Sequence, residues 1–313
     1  MPVDTHQCSD IDTRLSSGDP QVRRLAMTEL DDALDIRHLK LLCDALSDAD
    51  VAVRRLALKY LEELGDPAAI PFIVRCLADD VEDVRAAAKS ALREFRDQSA
   101  GPPLMAAAQD SDSRIRSGAI FGLRELRVTE AIPMLSRLAH DPDVEVRREA
   151  VLALGFMQDS ACLSALEAAL RDADAYVRRL AIGALAMVDA ELIAQVIVEM
   201  LNDIDWQVRQ EAAIALNKFP TECVAKGIIR ALSDPAWQVA KEAAAVAGRK
   251  KIPAARQIEL LLAHPQPDVR RAAIVALGEL KSSAGAIRKM LDDPDGDIRK
   301  AAQHALEQME YQF

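Results

Sequence analysis

Apolar residues along this chain recur with a spacing that belongs to neither an isolated helix nor a strand. Taking an aliphatic residue as position 0, the same pattern returns at Val22, Val53, Val84, Ile115, Val146, Val177, Val208, Val239, Val269 and Ile298. The intervals are 31 residues for seven steps, then 30, then 29. Alanine stands at +4 in all ten copies, and leucine at +8 in nine, Ala247 being the exception. Positions 0, +4 and +8 lie on one face of an α-helix, so each copy contains a helix with a narrow aliphatic stripe. A period of 20 to 50 residues marks units that bury their apolar faces only by stacking on neighbours. The predicted fold class is therefore all-α: a right-handed α-solenoid, or superhelix, of about ten two-helix repeats. Residues 1–8 read as a polar tail and residues 9–313 as one solenoid. Each full repeat pairs a first helix of about ten residues with a second of about fourteen, as in Pro67 to Ala78 followed by Val81 to Phe95.

Polar positions repeat as regularly as the apolar ones. Aspartate occupies −3 at Asp19, Asp50, Asp112, Asp143, Asp174, Asp205 and Asp295, where its side chain can cap the second helix and face its positive end. Aspartate also occupies −5 in eight copies, closing the first helix. Arginine follows the core residue at Arg23, Arg54, Arg85, Arg116, Arg147, Arg178, Arg209, Arg270 and Arg299. A guanidinium offers carboxylate a rigid fork, so these arginines predict a structural ladder of Arg–Asp bonds linking successive repeats.

Composition narrows the picture. Half the residues are hydrophobic but only 4% are aromatic, which suits thin helices packed closely. The net charge of −11 argues against nucleic acid or an anionic membrane as the partner. Five widely separated cysteines, Cys8, Cys43, Cys76, Cys162 and Cys223, show neither metal nor redox spacing. No apolar run approaches the ~18 residues of a membrane span, and the first residues lack a signal-peptide pattern. A cytoplasmic location is the expectation.

Candidate binding residues come from departures within the repeat. Position +2 is basic in seven of ten copies, among them Arg148, Arg179, Lys241 and Arg271, with Gln210 in the same column. Two readings stand: a cationic track for an acidic or carboxylate-bearing segment, or a solvated face balanced by neighbouring Asp and Glu. Trp206 and Trp237, the chain's two tryptophans, both sit at −2 in consecutive copies, with Tyr176 at −1 of the copy before. Trp is enriched in binding hot spots, and the other reading is rings that plug half-buried turns. The rules also fail between residues 236 and 256, where Ala240 replaces the ladder arginine and Arg249-Lys250-Lys251 forms a basic run. Such breaks mark functional or strained places, or a kink. No phosphate loop, nucleophile elbow or paired metal ligands emerge, so no catalytic residue, metal site or cofactor is assigned.

The motif Asp-x-Asp-x-x-Val-Arg-x-x-Ala-x-x-x-Leu, preceded by an amphipathic helix such as Ala131 to Leu138, resembles the short bacterial HEAT repeat known as the phycobilisome-lyase HEAT-like repeat. The resemblance covers nearly the whole chain. It implies a non-catalytic protein-binding scaffold, or an assembly or maturation chaperone, that grips a protein partner on its concave face. The alternative is an enzyme subunit of the bilin-lyase or hydroxylase type. Deoxyhypusine-hydroxylase-like relatives hold two irons with His-Glu dipeptides, and none of His6, His38, His140, His264 or His304 precedes a glutamate. Glycosylase-like relatives need a basic, aromatic-lined face, which an acidic chain with 11 aromatics fits poorly.

Overall fold

The computed structural model describes residues 11, 13–30, 34–95, 97–187 and 191–310; the expected tail of residues 1–8 lies outside them. Helices and turns account for the described residues, with no strand among them. The second helices of the repeats are α1 (Pro20–Glu29), α2 (Val51–Leu64), α3 (Glu82–Glu94), α4 (Ser113–Glu125) and α5 (Val144–Met157). They continue as α6 (Ala175–Leu185), α7 (Trp206–Ala215), α8 (Trp237–Arg249), α9 (Pro267–Glu279) and α10 (Gly296–Glu310). First helices are shorter, and several finish in a 3-10 turn: where one helix was expected from Pro67 to Ala78, a 3-10 turn, Ile70–Ile73 and a second 3-10 stretch follow one another. The architecture is the expected all-α solenoid. The chain divides into two compact units, Met1–Met157 carrying α1–α5 and Gln158–Phe313 carrying α6–α10. Within each unit every second helix packs on the next.

The alanine column sets how closely these helices approach. All ten alanines at +4, from Ala26 to Ala302, have 0% of their surface exposed. A methyl group is the largest side chain such a contact admits without shifting a backbone. Between α8 and α9 there is no room even for a methyl at Gly248, where an added Cβ would lie 2.7 Å from Ala276 Cα. At the end of α2 the chain instead needs Gly65 for conformation, because it caps the helix at φ 62°.

Each turn is held by hydrogen bonds that join two repeats. The −5 aspartate accepts the N–H of the residue two positions on, as Asp48 does from Asp50 at 2.7 Å and Asp203 from Asp205 at 2.8 Å. The arginine of the preceding repeat binds the same carboxylate with both arms of its fork. Arg23 does so on Asp48, Arg116 on Asp141, Arg178 on Asp203, Arg209 on Asp234 and Arg270 on Asp293, all between 2.7 and 3.0 Å. Arg54 donates to Asp79 at 3.0 Å, while its Nε stands 2.8 Å from the other oxygen, off the hydrogen-bond direction. The remaining arm, Nη1, reaches back to its own turn's carbonyls, as from Arg209 to Asp203 at 2.9 Å and from Arg147 to Asp141 at 3.0 Å. The −3 aspartates cap the second helices, Asp205 accepting from Gln207 and Val208 at 2.7 and 3.4 Å.

Arg85 corrects the ladder. It donates to the Asp79 carbonyl at 2.6 Å and pairs with Glu82, one turn back on its own helix, instead of reaching the next repeat. The cause is Glu82 itself, a nearer carboxylate at i,i+3 spacing. The missing arginine at Ala240 is explained by its partner: the place of the −5 aspartate in the following turn is taken by His264, whose Nδ1 accepts the Gln266 N–H at 3.0 Å. Both ends of that rung are absent together, which leaves no buried charge unpaired.

Three outcomes follow from this packing. Gly248→Ala should destabilise the protein by roughly 1–3 kcal/mol through overpacking, read from the urea midpoint. Arg209→Ala should cost roughly 2–4 kcal/mol because it strands the largely buried Asp234 carboxylate, and Lys at that position should recover only part of it. Acid should weaken the fold in a defined window. Burial pushes the Asp48 carboxyl up, but the Arg23 fork and the Asp50 N–H carry it below its ordinary 3.8; at Asp293 the Arg270 fork is the main cause of the lowering. A depressed folded-state pKa gives stability that is complete above the unfolded value and lost as pH falls through the folded one. Asp293→Asn should therefore lose less stability than the wild type on acidification from pH ~6 to pH ~2.5.

Candidate partner-binding surface

Tyr176, Trp206 and Trp237 stand at corresponding ends of α6, α7 and α8, which pack in sequence within the second unit. Trp206 and Trp237 are the first residues of their helices because the polar turn before them ends at Asp205 and Ala236. Tyr176 is 44% exposed, Trp206 is 37% exposed and Trp237 is half-buried. The structure adds Ile204, 94% exposed in the turn two residues before Trp206. Its column elsewhere holds Gly18, Ala49, Asp80, Ser111, Pro142, Ala173, Pro235, Pro265 and Pro294, so a lone large aliphatic among turn residues was the available signal.

Carboxylates accompany the basic column at +2. Arg24 pairs with Asp50, Arg55 with Asp83 at 3.5 Å, Arg148 with Glu145, and Arg179 with Glu211 at 3.9 Å. Lys241 pairs with Glu242 at 3.1 Å, Arg271 with Asp268 at 2.8 Å and Lys300 with Asp297 at 3.4 Å. This ridge is thus a series of surface ion pairs, each weak because water and salt screen it. Arg179 is the loosest in geometry: its guanidinium lies 5.7 Å from the Tyr176 ring centroid and its buried Nε has no acceptor. Gln210 is half-buried on α7.

The basic run at the end of α8 is a clamp. Lys250 Nζ donates to the Phe219 carbonyl of the preceding repeat, and Lys251 Nζ to the Glu279 carbonyl of the following one. Both carbonyls lie at helix C-terminal ends, where backbone acceptors are unfilled and the dipole is negative. Burial lowers the Lys250 pKa, consistent with an ammonium drawn into the packing. Cys43 and Cys76 are buried thiols whose pKa burial raises to about 11, which keeps them protonated. Among the described residues no group of three or more His, Cys, Asp or Glu is placed to hold a metal ion. No described helix is long and apolar enough to cross a membrane.

Comparison with known proteins bears on this surface. The family described as HEAT repeats matches residues 12–93, 101–186, 163–249 and 254–312, and the PBS lyase HEAT-like repeat matches residues 84–110. No curated protein matches the sequence. Among solved structures, the chain is similar to an engineered protein with 19% identity and a TM-score of 0.52, covering 97% of this chain and 98% of that one. It is similar to importin beta with 15% identity and a TM-score of 0.63, covering 96% of this chain and 50% of importin beta. Kap95p gives 15% identity and a TM-score of 0.61, with the same 96% and 50% coverage. The chain therefore spans about half the length of these two transport proteins, and likeness at this identity speaks to fold alone.

The different roles of the cations predict different costs. Lys250→Met should destabilise the protein by roughly 1–2 kcal/mol, since the Phe219 carbonyl loses a charged donor. Arg271→Ala, which removes an exposed pair with Asp268, should change stability by less than about 0.5 kcal/mol. Equal effects in urea titrations would contradict the distinction between clamp and surface pair.

Proposed function

The chain belongs to the HEAT-repeat family, and on that footing we propose that it is a protein-binding scaffold, in the form of an assembly or maturation chaperone, that holds a partner along its second helices. Kap95p, which has a similar fold, acts on a protein, inducing a change in the switch loops of RanGDP. The observation that carries the reading is the group Tyr176, Ile204, Trp206 and Trp237. Large apolar side chains lie at corresponding ends of three consecutive helices, in a chain with few aromatics to spare. Contiguous exposed apolar side chains rimmed by charge are the usual mark of a protein contact.

Aromatic anchors would supply most of the affinity, with the paired charges around them setting orientation. The partner is an extended segment bearing carboxylates, laid on the concave side of the solenoid. Its acids would replace Glu211 and Glu242 on Arg179 and Lys241, and continue along the column through Gln210 and Arg271. Arg179 holds Glu211 at the long distance of 3.9 Å, so a carboxylate of the partner competes there with a loose pair.

Replacing both tryptophans by alanine should weaken binding of the native partner by more than ~2 kcal/mol, in a variant whose circular dichroism shows it folded. The check is isothermal titration with the partner recovered by affinity capture. Unchanged affinity in the double variant would remove this surface from the reading.

A further inference from the structure

The first unit holds a groove of about 520 Å³ between α2 and α3, lined by Ala52, Arg55, Leu56, Lys59 and Glu62 from α2 and by Ala87 and Ser90 from α3. Its origin is in the sequence. At +3 and +6, where α2 carries Leu56 and Lys59, α3 carries Ala87 and Ser90, so short side chains leave a hollow beside long ones. Ala52, Leu56 and Ala87 give it an apolar lining.

The charges around this groove are unequally matched. Arg55 reaches Asp83 of α3 at 3.5 Å, and Lys59 reaches Glu63 at 3.5 Å with its ammonium 5.1 Å from the Tyr60 ring centroid. Glu62 is half-buried, and among the described residues no cation stands within ion-pair distance of it. Burial raises its pKa above the ordinary 4.5, and the charges that add to the rise, those of Glu94 and Glu63, are both negative. Carboxylates of both helices are therefore close enough to repel at the end of the groove that Glu62 lines. Arg93, next to Glu94 in the chain, lies toward α4, its Cζ 5.6 Å from the Phe121 ring centroid.

The repeat does not impose this imbalance. Column +9 reads Glu62, Arg93 and Arg124 in α2, α3 and α4, and column +10 reads Glu63, Glu94 and Glu125. In α4 the two positions satisfy each other, Arg124 donating to Glu125 at 3.2 Å. In α2 both are acids, and its last turn contains no basic residue. The C-terminal end of a helix is already negative through its unfilled carbonyls, so an added cation is favoured there twice over.

We propose that this groove is a second binding site, one that receives a basic protein segment, with an arginine or lysine at Glu62, Glu63 and Glu94 and an apolar side chain against Ala52, Leu56 and Ala87. The site is separate from the aromatic surface of the second unit and does not depend on it. Charge complementarity selects the occupant, because the cations of the lining already have carboxylates while Glu62 lacks a counter-charge. Geometry sets the spacing. Leu56 and Glu62 are six residues apart, roughly 9 Å along the helix. Alternate residues of an extended segment share a face about 6.6 Å apart, and the reach of an arginine covers the difference.

The test uses the full chain and a fluorescein-labelled peptide of about nine residues, with a central leucine, an arginine two positions to either side and serine elsewhere, followed by anisotropy. The wild type binds it. Glu62→Gln keeps the shape of the side chain, breaks no ion pair and weakens binding by roughly five-fold or more. Ala87→Leu, which repeats the residue α2 carries in that column, fills the groove and weakens binding by roughly ten-fold or more. Serine in place of the peptide's leucine weakens binding by roughly five-fold or more, and glutamate in place of its arginines abolishes it. Trp206→Ala with Trp237→Ala leaves binding unchanged, which separates this site from the one in the second unit. Circular dichroism confirms that the variants fold, and the two altered peptides test the site on the unaltered protein. Five outcomes overturn the proposal: no binding by the wild type, equal binding by the Glu62 variant, equal binding by the folded Ala87 variant, equal binding of the peptide without leucine, or equal binding of the glutamate peptide.

Discussion

A methyl group, repeated ten times, governs how this protein is built. The +4 alanines are wholly buried where neighbouring second helices meet, and at Gly248 even a methyl is too large. Burial of thin aliphatic stripes is the driving force, and it is available only between repeats, since one helix pair has nothing else to cover it. The arginine rungs depend on that approach. Arg178 reaches Asp203 with both arms because the next turn lies directly beside its own, and the same arginine's third arm closes the turn it left. Apolar nesting supplies affinity between repeats, and the rung fixes their register, as a directional contact with little tolerance for slip can do.

Charge in this chain is largely consumed by that register. The −5 carboxylates take a backbone N–H and a guanidinium; the −3 carboxylates take helix ends. An acidic total of −11 therefore overstates what the surface offers, because fifteen of the fifty acidic residues are the −5 and −3 aspartates of the repeat turns. What remains for a partner is what the repeat does not use. In the second unit the exposed large side chains at the turn edge are Tyr176, Ile204 and Trp206.

Departures from the repeat divide by physical cause. Ala240 and His264 looked like separate irregularities along the chain, yet they are the two ends of one absent rung, 24 residues apart. Lys250 and Lys251 looked like a basic patch and are clamps on neighbouring carbonyls. Arg85 looked like every other ladder arginine and is not one, because Glu82 offers a nearer carboxylate on its own helix. For the absent rung and the lysine clamps the partner lay in another repeat or in the backbone, where a column does not show it; for Arg85 it lay three residues back on its own helix.

The periodicity by itself determined the helices, their pairing into repeats, the core face of each and the capping aspartates. Those depend on spacing along one chain, and spacing is what a sequence records. Which oxygen each arginine meets, whether a basic column is free or neutralised, and that Ile204 stands bare beside Trp206 were decided only when repeats came side by side. These are distances between residues some 23 to 31 positions apart, set by how closely two backbones nest, and a difference of one side chain in the contact redirects the fork.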